Sequence, residues 1–157
     1  MLEQDKIESI ISETLIGDTR KNLLDLVAFL RANELPPKWD GDWWCIDYNC
    51  KNLVLLGINT GGIKFGILFS ECDFGSNDLK DDDLKETVWN HVQICEYFKS
   101  GGKNCGCDEQ PGLITICGKD FNACKSPLTF VEPDAKTLEN IKKLILLLKS
   151  NADMKHT

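Results

Sequence analysis

Apolar residues recur through positions 1–35 with a helical period. Ile7, Ile10, Ile11 and Thr14 fall at i, i+3, i+4 and i+7, which predicts a helix with three isoleucines on one face. Gly17 supplies a stop, and Asp18 or Thr19 then caps a second helix whose stripe is Leu23, Leu26, Val27 and Leu30. Pro36 and Pro37 end that helix, because a residue before proline is steered out of helical conformation.

The period then changes. Trp43 to Tyr48 is rich in aromatic and β-favouring residues, and Asn49-Cys50-Lys51-Asn52 has turn composition. Leu53 to Ile58 is a continuous apolar run, as in a strand covered on both faces. After the turn Asn59-Thr60-Gly61-Gly62, residues Ile63, Phe65, Ile67 and Phe69 alternate with Lys64, Gly66, Leu68 and Ser70. Together, residues 43–70 predict an antiparallel β-meander.

An acidic stretch precedes the next helix. Glu71 to Glu86 holds seven acidic and two basic residues, and Asp81, Asp82 and Asp83 fall where a helix dipole favours negative charge. DLKDDDLKE lacks the alternating oxygen ligands and turn glycine of a calcium loop, so a solvated helix start is the expectation. Leu84, Val88, His91, Val92, Cys95 and Phe98 would line one face of a helix over 78–99, stopped by Ser100-Gly101-Gly102. Residues 100–131 read as Cys-rich loops with short strands at Leu113–Ile116 and Leu128–Val131. Pro133 and Asp134 open a last helix over 133–150 with Leu138, Ile141, Ile145 and Leu148 inward. No internal repeat and no dividing linker appear. The expectation is therefore one α+β domain over 1–157, with the meander extended by one or two short strands and packed against N-terminal, central and C-terminal helices.

Composition narrows the function classes. The 157 residues carry 18 basic and 25 acidic side chains, and the only arginines are Arg20 and Arg31, so a nucleic-acid partner is disfavoured. No apolar run approaches the roughly 18 residues of a membrane span. The first residues, MLEQDKIESIISETLIG, are acidic where a signal peptide needs a basic region, which leads us to expect a soluble cytoplasmic protein with thiols free or metal-bound.

Three groups of residues carry candidate chemistry. Cys105, Cys107, Cys117 and Cys124, spaced C-x-C-x9-C-x6-C, are candidate ligands of one tetrahedral Zn²⁺ if two adjacent loops converge. The competing reading is that they are structural thiols, with an Fe–S cluster or a redox-active Cys105/Cys107 pair as further options. His91 and Cys95 lie four apart on the expected helix, a spacing that suits a ligand or nucleophile pair, although they sit within its apolar stripe. Finally, three of the four tryptophans lie in Lys38-Trp39-Asp40-Gly41-Asp42-Trp43-Trp44. Successive strand residues face opposite ways, so with Trp44 inward, Trp43 is left to face a second layer or a ligand. Trp43, Trp44, Asp40 and Asp42 are accordingly the candidate small-molecule-binding residues, against a plain turn-and-strand reading. No glycine-rich phosphate loop follows a strand.

The tryptophan-rich first strand leading a meander, and the closing segment PDAKTLENIKKLILLLK, resemble small bacterial α+β domains of unknown function. That resemblance implies a compact α+β fold and carries over no catalytic residue. Three function classes follow: a non-catalytic binding module with a four-cysteine zinc site, a small-molecule-binding or sensing domain built on the aromatic strand, and a thiol-dependent redox enzyme. A binding role is expected ahead of catalysis, and the sequence specifies neither ligand nor oligomeric state.

Overall fold

The computed structural model describes residues 6–41, 43–59, 62–67, 79–94 and 112–155. The chain forms two compact units, residues 1–66 with 130–157 and residues 67–129. The fold is α+β, with helices near the N-terminus, the centre and the C-terminus and antiparallel strands between them, as the hydrophobic patterns predict.

In the first unit, helix α1 (Lys6–Thr14) buries Ile7 and Ile11, and α2 (Gly17–Ala32) buries Leu23, Leu26, Val27 and Leu30. Each such side chain taken out of water contributes about 1.5–3 kcal/mol before entropic costs. The two helices are joined differently from the sequence expectation. The N-cap of α2 is Ile16, which offers no side-chain cap, while Gly17 takes φ +61° and Arg20 Nε donates to the Leu15 carbonyl at 2.6 Å. At its other end α2 stops before the prolines are reached. Leu35 N donates to Leu30 O (2.9 Å) and Glu34 N to Arg31 O (3.2 Å), with Glu34 at φ +60°. This paired closure is a Schellman motif, and Leu35 is fully buried beside it.

Strands β1 (Lys38–Trp39), β2 (Trp44–Tyr48), β3 (Lys51–Asn59) and β4 (Gly62–Ile67) follow in sheet order. The β2–β3 hairpin turns through Asn49 and Cys50, at φ +49° and +62°. Positive φ at both central residues marks the type I′ turn, whose twist matches that of a two-residue hairpin. The final helix, α4, covers Ala135–Lys155 and extends beyond its expected end. Asp134 caps it by accepting from Thr137 N at 2.8 Å. Leu138, Ile141, Leu144, Ile145 and Leu148 form its buried face.

Polar straps tie these helices together. Arg31 grips Glu8 with two bonds (2.7 and 3.1 Å), Lys142 reaches Asp25 (2.7 Å), and Lys149 donates to Asn33 O at the end of α2 (2.7 Å). Tyr48 donates its hydroxyl to Asp153, and Lys149 lies over the Tyr48 ring at 5.1 Å. The even positions of β2 (Trp44, Ile46 and Tyr48) therefore share the helix-covered face, with Trp44 and Ile46 buried and Tyr48 bonded to α4.

In the second unit, Asp81 caps α3 (Asp82–Asn90) by accepting from Asp83 N and Leu84 N, so the acidic run serves as a helix start. Instead of continuing to Phe98, the helix ends at Asn90. Residues Val92–Ile94 form β5, antiparallel to β7 (Lys119–Val131). Strand β6 (Gly112–Ile116) pairs with β7 from Gly112↔Ala123 to Ile116↔Lys119. Their turn is Cys117-Gly118, at φ +51° and +81°. Trp89 Nε1 donates to Ile116 O at 2.9 Å, which fastens this hairpin to α3. No helix among the described residues is long and apolar enough to cross a membrane.

Candidate functional site

The candidate site forms where the chain passes from β1 to β2. Asp40 N donates to Trp43 O (3.1 Å), and Trp43 N donates back to Asp40 Oδ1 (2.9 Å), closing a tight turn. Gly41 takes φ +112° within it, a conformation that a side chain would strain. The second Asp40 oxygen accepts the Cys45 thiol, with Sγ 3.1 Å from Oδ2. One carboxylate thus clasps both ends of the turn that carries Trp43.

Alternation along β2 places Trp43, Cys45 and Asp47 on the face opposite Trp44, Ile46 and Tyr48. There the Trp43 indole lies against Gly57 of β3. A Cβ at Gly57 would stand 2.7 Å from Trp43 Cζ3 and 3.0 Å from Cε3, so a side chain there would force the indole to shift. Glycine is what admits the ring. Trp43 still keeps 39% of its surface exposed, whereas Cys45 beneath the turn is buried. Further along the same face, Asp47 lies at a break in register between Ile46↔Val54 and Asp47↔Asn52. Its Oδ1 is buried and has no hydrogen-bond partner among the described residues.

Electrostatics make Cys45 a proton holder. Burial, then the hydrogen bond to Asp40 and the charges of Asp40 and Asp47, push its thiol from the ordinary 9.0 up to about 12. A thiol in that state donates a hydrogen bond near neutral pH and is a poor nucleophile.

The other sequence candidates are distributed as follows. Trp44 is 2% exposed and belongs to the core, in a tilted ring contact with Trp39 at 5.3 Å between centroids; a ligand does not reach it. Asp42 lies outside the described residues. Asp40 holds the turn instead of offering a free carboxylate. Cys105 and Cys107 also lie outside the described residues. Cys117 is buried in the β6–β7 turn, while Cys124 is a residue of β7 itself. Cys124 thus lies in strand and not in a loop, because β7 is continuous strand from Lys119. At about 3.3 Å per residue, Lys119 and Cys124 are about 17 Å apart along that strand. Among the described residues, no group of three acidic, His or Cys side chains could hold a metal ion.

His91 is the C-cap of α3, not a mid-helix residue, and Cys95 lies outside the described residues. The His91 Nδ1–H donates to Thr87 O at 2.7 Å, since a carbonyl only accepts. Val92–Ile94 is strand, so the helix does not continue past Asn90.

Sequence reasoning missed Cys45, Asp47 and Gly57 as parts of this site. One signal was present: an isolated glycine inside the apolar run Leu53–Ile58 marks a close approach by another group. The chain matches no family model, no curated protein and no solved structure.

Proposed function

We propose that the protein is a non-catalytic small-molecule-binding module whose ligand seat lies on the Trp43 side of β2. The observation that carries this reading is a half-exposed indole that lies against Gly57, on a turn whose backbone Asp40 holds. Aromatic surfaces supply contact area at low entropic cost, and small-molecule sites are built mostly from apolar and aromatic side chains with a few placed polar groups. The two titratable groups that hold the turn support binding over catalysis. The Asp40 carboxylate is already occupied by two donors, and the Cys45 thiol is held protonated, so neither is poised for proton transfer or attack near neutral pH.

The test is a titration of the protein with a broad metabolite panel, following the backbone amide resonances of β2 and β3, a readout that remains when Trp43 is replaced. A saturable shift that is lost in Trp43→Leu supports the reading. No saturable response across the panel, or responses that survive Trp43→Leu unchanged, would overturn it.

A further inference from the structure

We infer that the free edge of β1 pairs with the same edge of a second copy of this chain, antiparallel and with Trp39 opposite Trp39, so that the sheet continues across a two-fold axis. This contact goes beyond the Trp43 ligand seat and does not depend on it.

Strand β1 ends the sheet, and Lys38, Trp39, Asp40 and Gly41 are all exposed. Its register with β2 fixes which backbone groups point outward. Asp40 N donates to Trp43 O, and Lys38 lies opposite Cys45, so Lys38 and Asp40 are the residues that turn their ladder groups toward β2. Trp39, between them, is the non-hydrogen-bonded partner of Trp44 and turns its N–H and C=O to the open edge. Neither group has a partner among the described residues. Such a bare rung is a template for another strand. Both of its ends are closed. Pro37 is buried and has no N–H to give, and Gly41 at φ +112° leaves strand conformation for the turn. The opening is therefore three residues long.

Lys38-Trp39-Asp40 is its own complement. Laid antiparallel on itself about Trp39, it sets each Lys38 directly opposite the Asp40 of the other copy, as an isologous contact requires. These are the close, non-hydrogen-bonded positions, with Cα atoms about 4.5 Å apart. Both side chains lie on the Trp43 face, since Lys38 is opposite Cys45 and Asp40 is opposite Trp43. Two pairs of opposite charge form together. A parallel alignment would set Lys38 against Lys38 and Asp40 against Asp40, which repels. Lys38 has no ion pair among the described residues, and each Asp40 oxygen accepts one donor and keeps a second acceptor site. On the other face the two Trp39 indoles, each 44% exposed and in contact with Trp44, meet across the axis and cover one another. So small an interface, between chains of formal net charge -7, makes a weak dimer.

Sedimentation velocity of the full chain at pH 7, from about 10 µM to about 1 mM, should show a monomer–dimer equilibrium with a dissociation constant of about 0.1 mM. Lys38→Glu sets two like-charge pairs across the axis and should weaken the dimer at least about tenfold. Amide exchange then locates the contact. The Trp39 N–H should exchange more slowly as the dimer fraction rises, while the Asp40 N–H, already bonded to Trp43 O, should not change. A chain that stays monomeric throughout this range overturns the inference, and so does a dimer indifferent to Lys38→Glu. A dimer that leaves Trp39 exchange unaltered overturns it as well, because it uses another surface. Should Lys38→Glu fail to fold, Trp39 exchange against concentration in the wild-type chain decides alone: slowing supports the pairing, and constancy overturns it.

Discussion

The Cys45 thiol donates to Asp40 and is raised from 9.0 to about 12 in the folded protein, whereas the unfolded chain leaves it near 9.0. Stability should therefore depend on pH through this one group, with a sign that follows from linkage. Below about pH 9 the thiol keeps its proton in both states, so its contribution to stability is fully present and independent of pH. Between about 9 and 12 the unfolded chain releases the proton and the native state retains it, so stability falls as pH rises. The loss is about 1.4 kcal/mol for each pH unit across this window, hence about 1.4 kcal/mol by pH 10 and a ceiling of about 4 kcal/mol. Other groups titrate in the same range, so the measured quantity is the difference in unfolding free energy between wild type and Cys45→Ala. It should be flat from about pH 7 to about 8.5 and shrink above about 9. Alkylation provides an independent check. At about pH 8 a thiol of pKa about 9 is about one-tenth thiolate and one of pKa about 12 about one ten-thousandth, a ratio of about 10³ in reactive form. Peptide-resolved labelling with iodoacetamide should therefore modify Cys45 about that much more slowly in the folded protein than in the unfolded chain, and well after exposed Cys50. Comparable rates in the folded protein, or a stability difference that stays flat to about pH 10.5, would refute the Asp40–Cys45 clasp.

Two further outcomes are expected. Cys50 sits at φ +62° in a type I′ turn, so Cys50→Gly should relieve about 1 kcal/mol of left-handed strain. The greater freedom of an unfolded glycine offsets part of this, leaving a net gain of about 0.5 kcal/mol and a Tm about 1–2 °C higher, with Cys50→Ala near neutral. The second concerns Glu8: partial burial works to raise its pKa, but the Arg31 hydrogen bonds and charge outweigh it and leave the carboxyl below its ordinary value. Its stabilising contribution is present above that value and is lost as pH falls through the folded pKa. Glu8→Gln should therefore cost about 1 kcal/mol at neutral pH and close to nothing in acid, read by denaturant unfolding.

The helices and their inward faces were legible in the sequence because helical burial has a short, local period. Ile7 and Ile11, Leu23 to Leu30, and Leu138 to Leu148 each announce their face within a few turns. The β2–β3 hairpin was legible for a similar reason, since Asn49 and Cys50 lie between two β-favouring runs. So was the helix start at Asp81, whose carboxylate answers the orphan amides of the same turn. Each of these signals is exchanged between residues a few positions apart.

The site depended on partners far apart in the chain. Periodicity carried Leu84 to Phe98 as one helix, but pairing with β7 made strand of Val92–Ile94, because β-branched residues follow the ladder available to them. The same long strand took in Cys124, which a loop-rich reading places in a loop. Alternation along β2 did foretell that Trp43 and Trp44 would part to opposite faces. It could not say that Gly57 would lie under Trp43, that Asp40 would spend both oxygens on the turn, or that Asp47 would be left with a buried, unanswered oxygen. Those facts are set by which strand lies beside which and in what register, and a hydrogen-bond ladder formed across the fold leaves no period in the sequence.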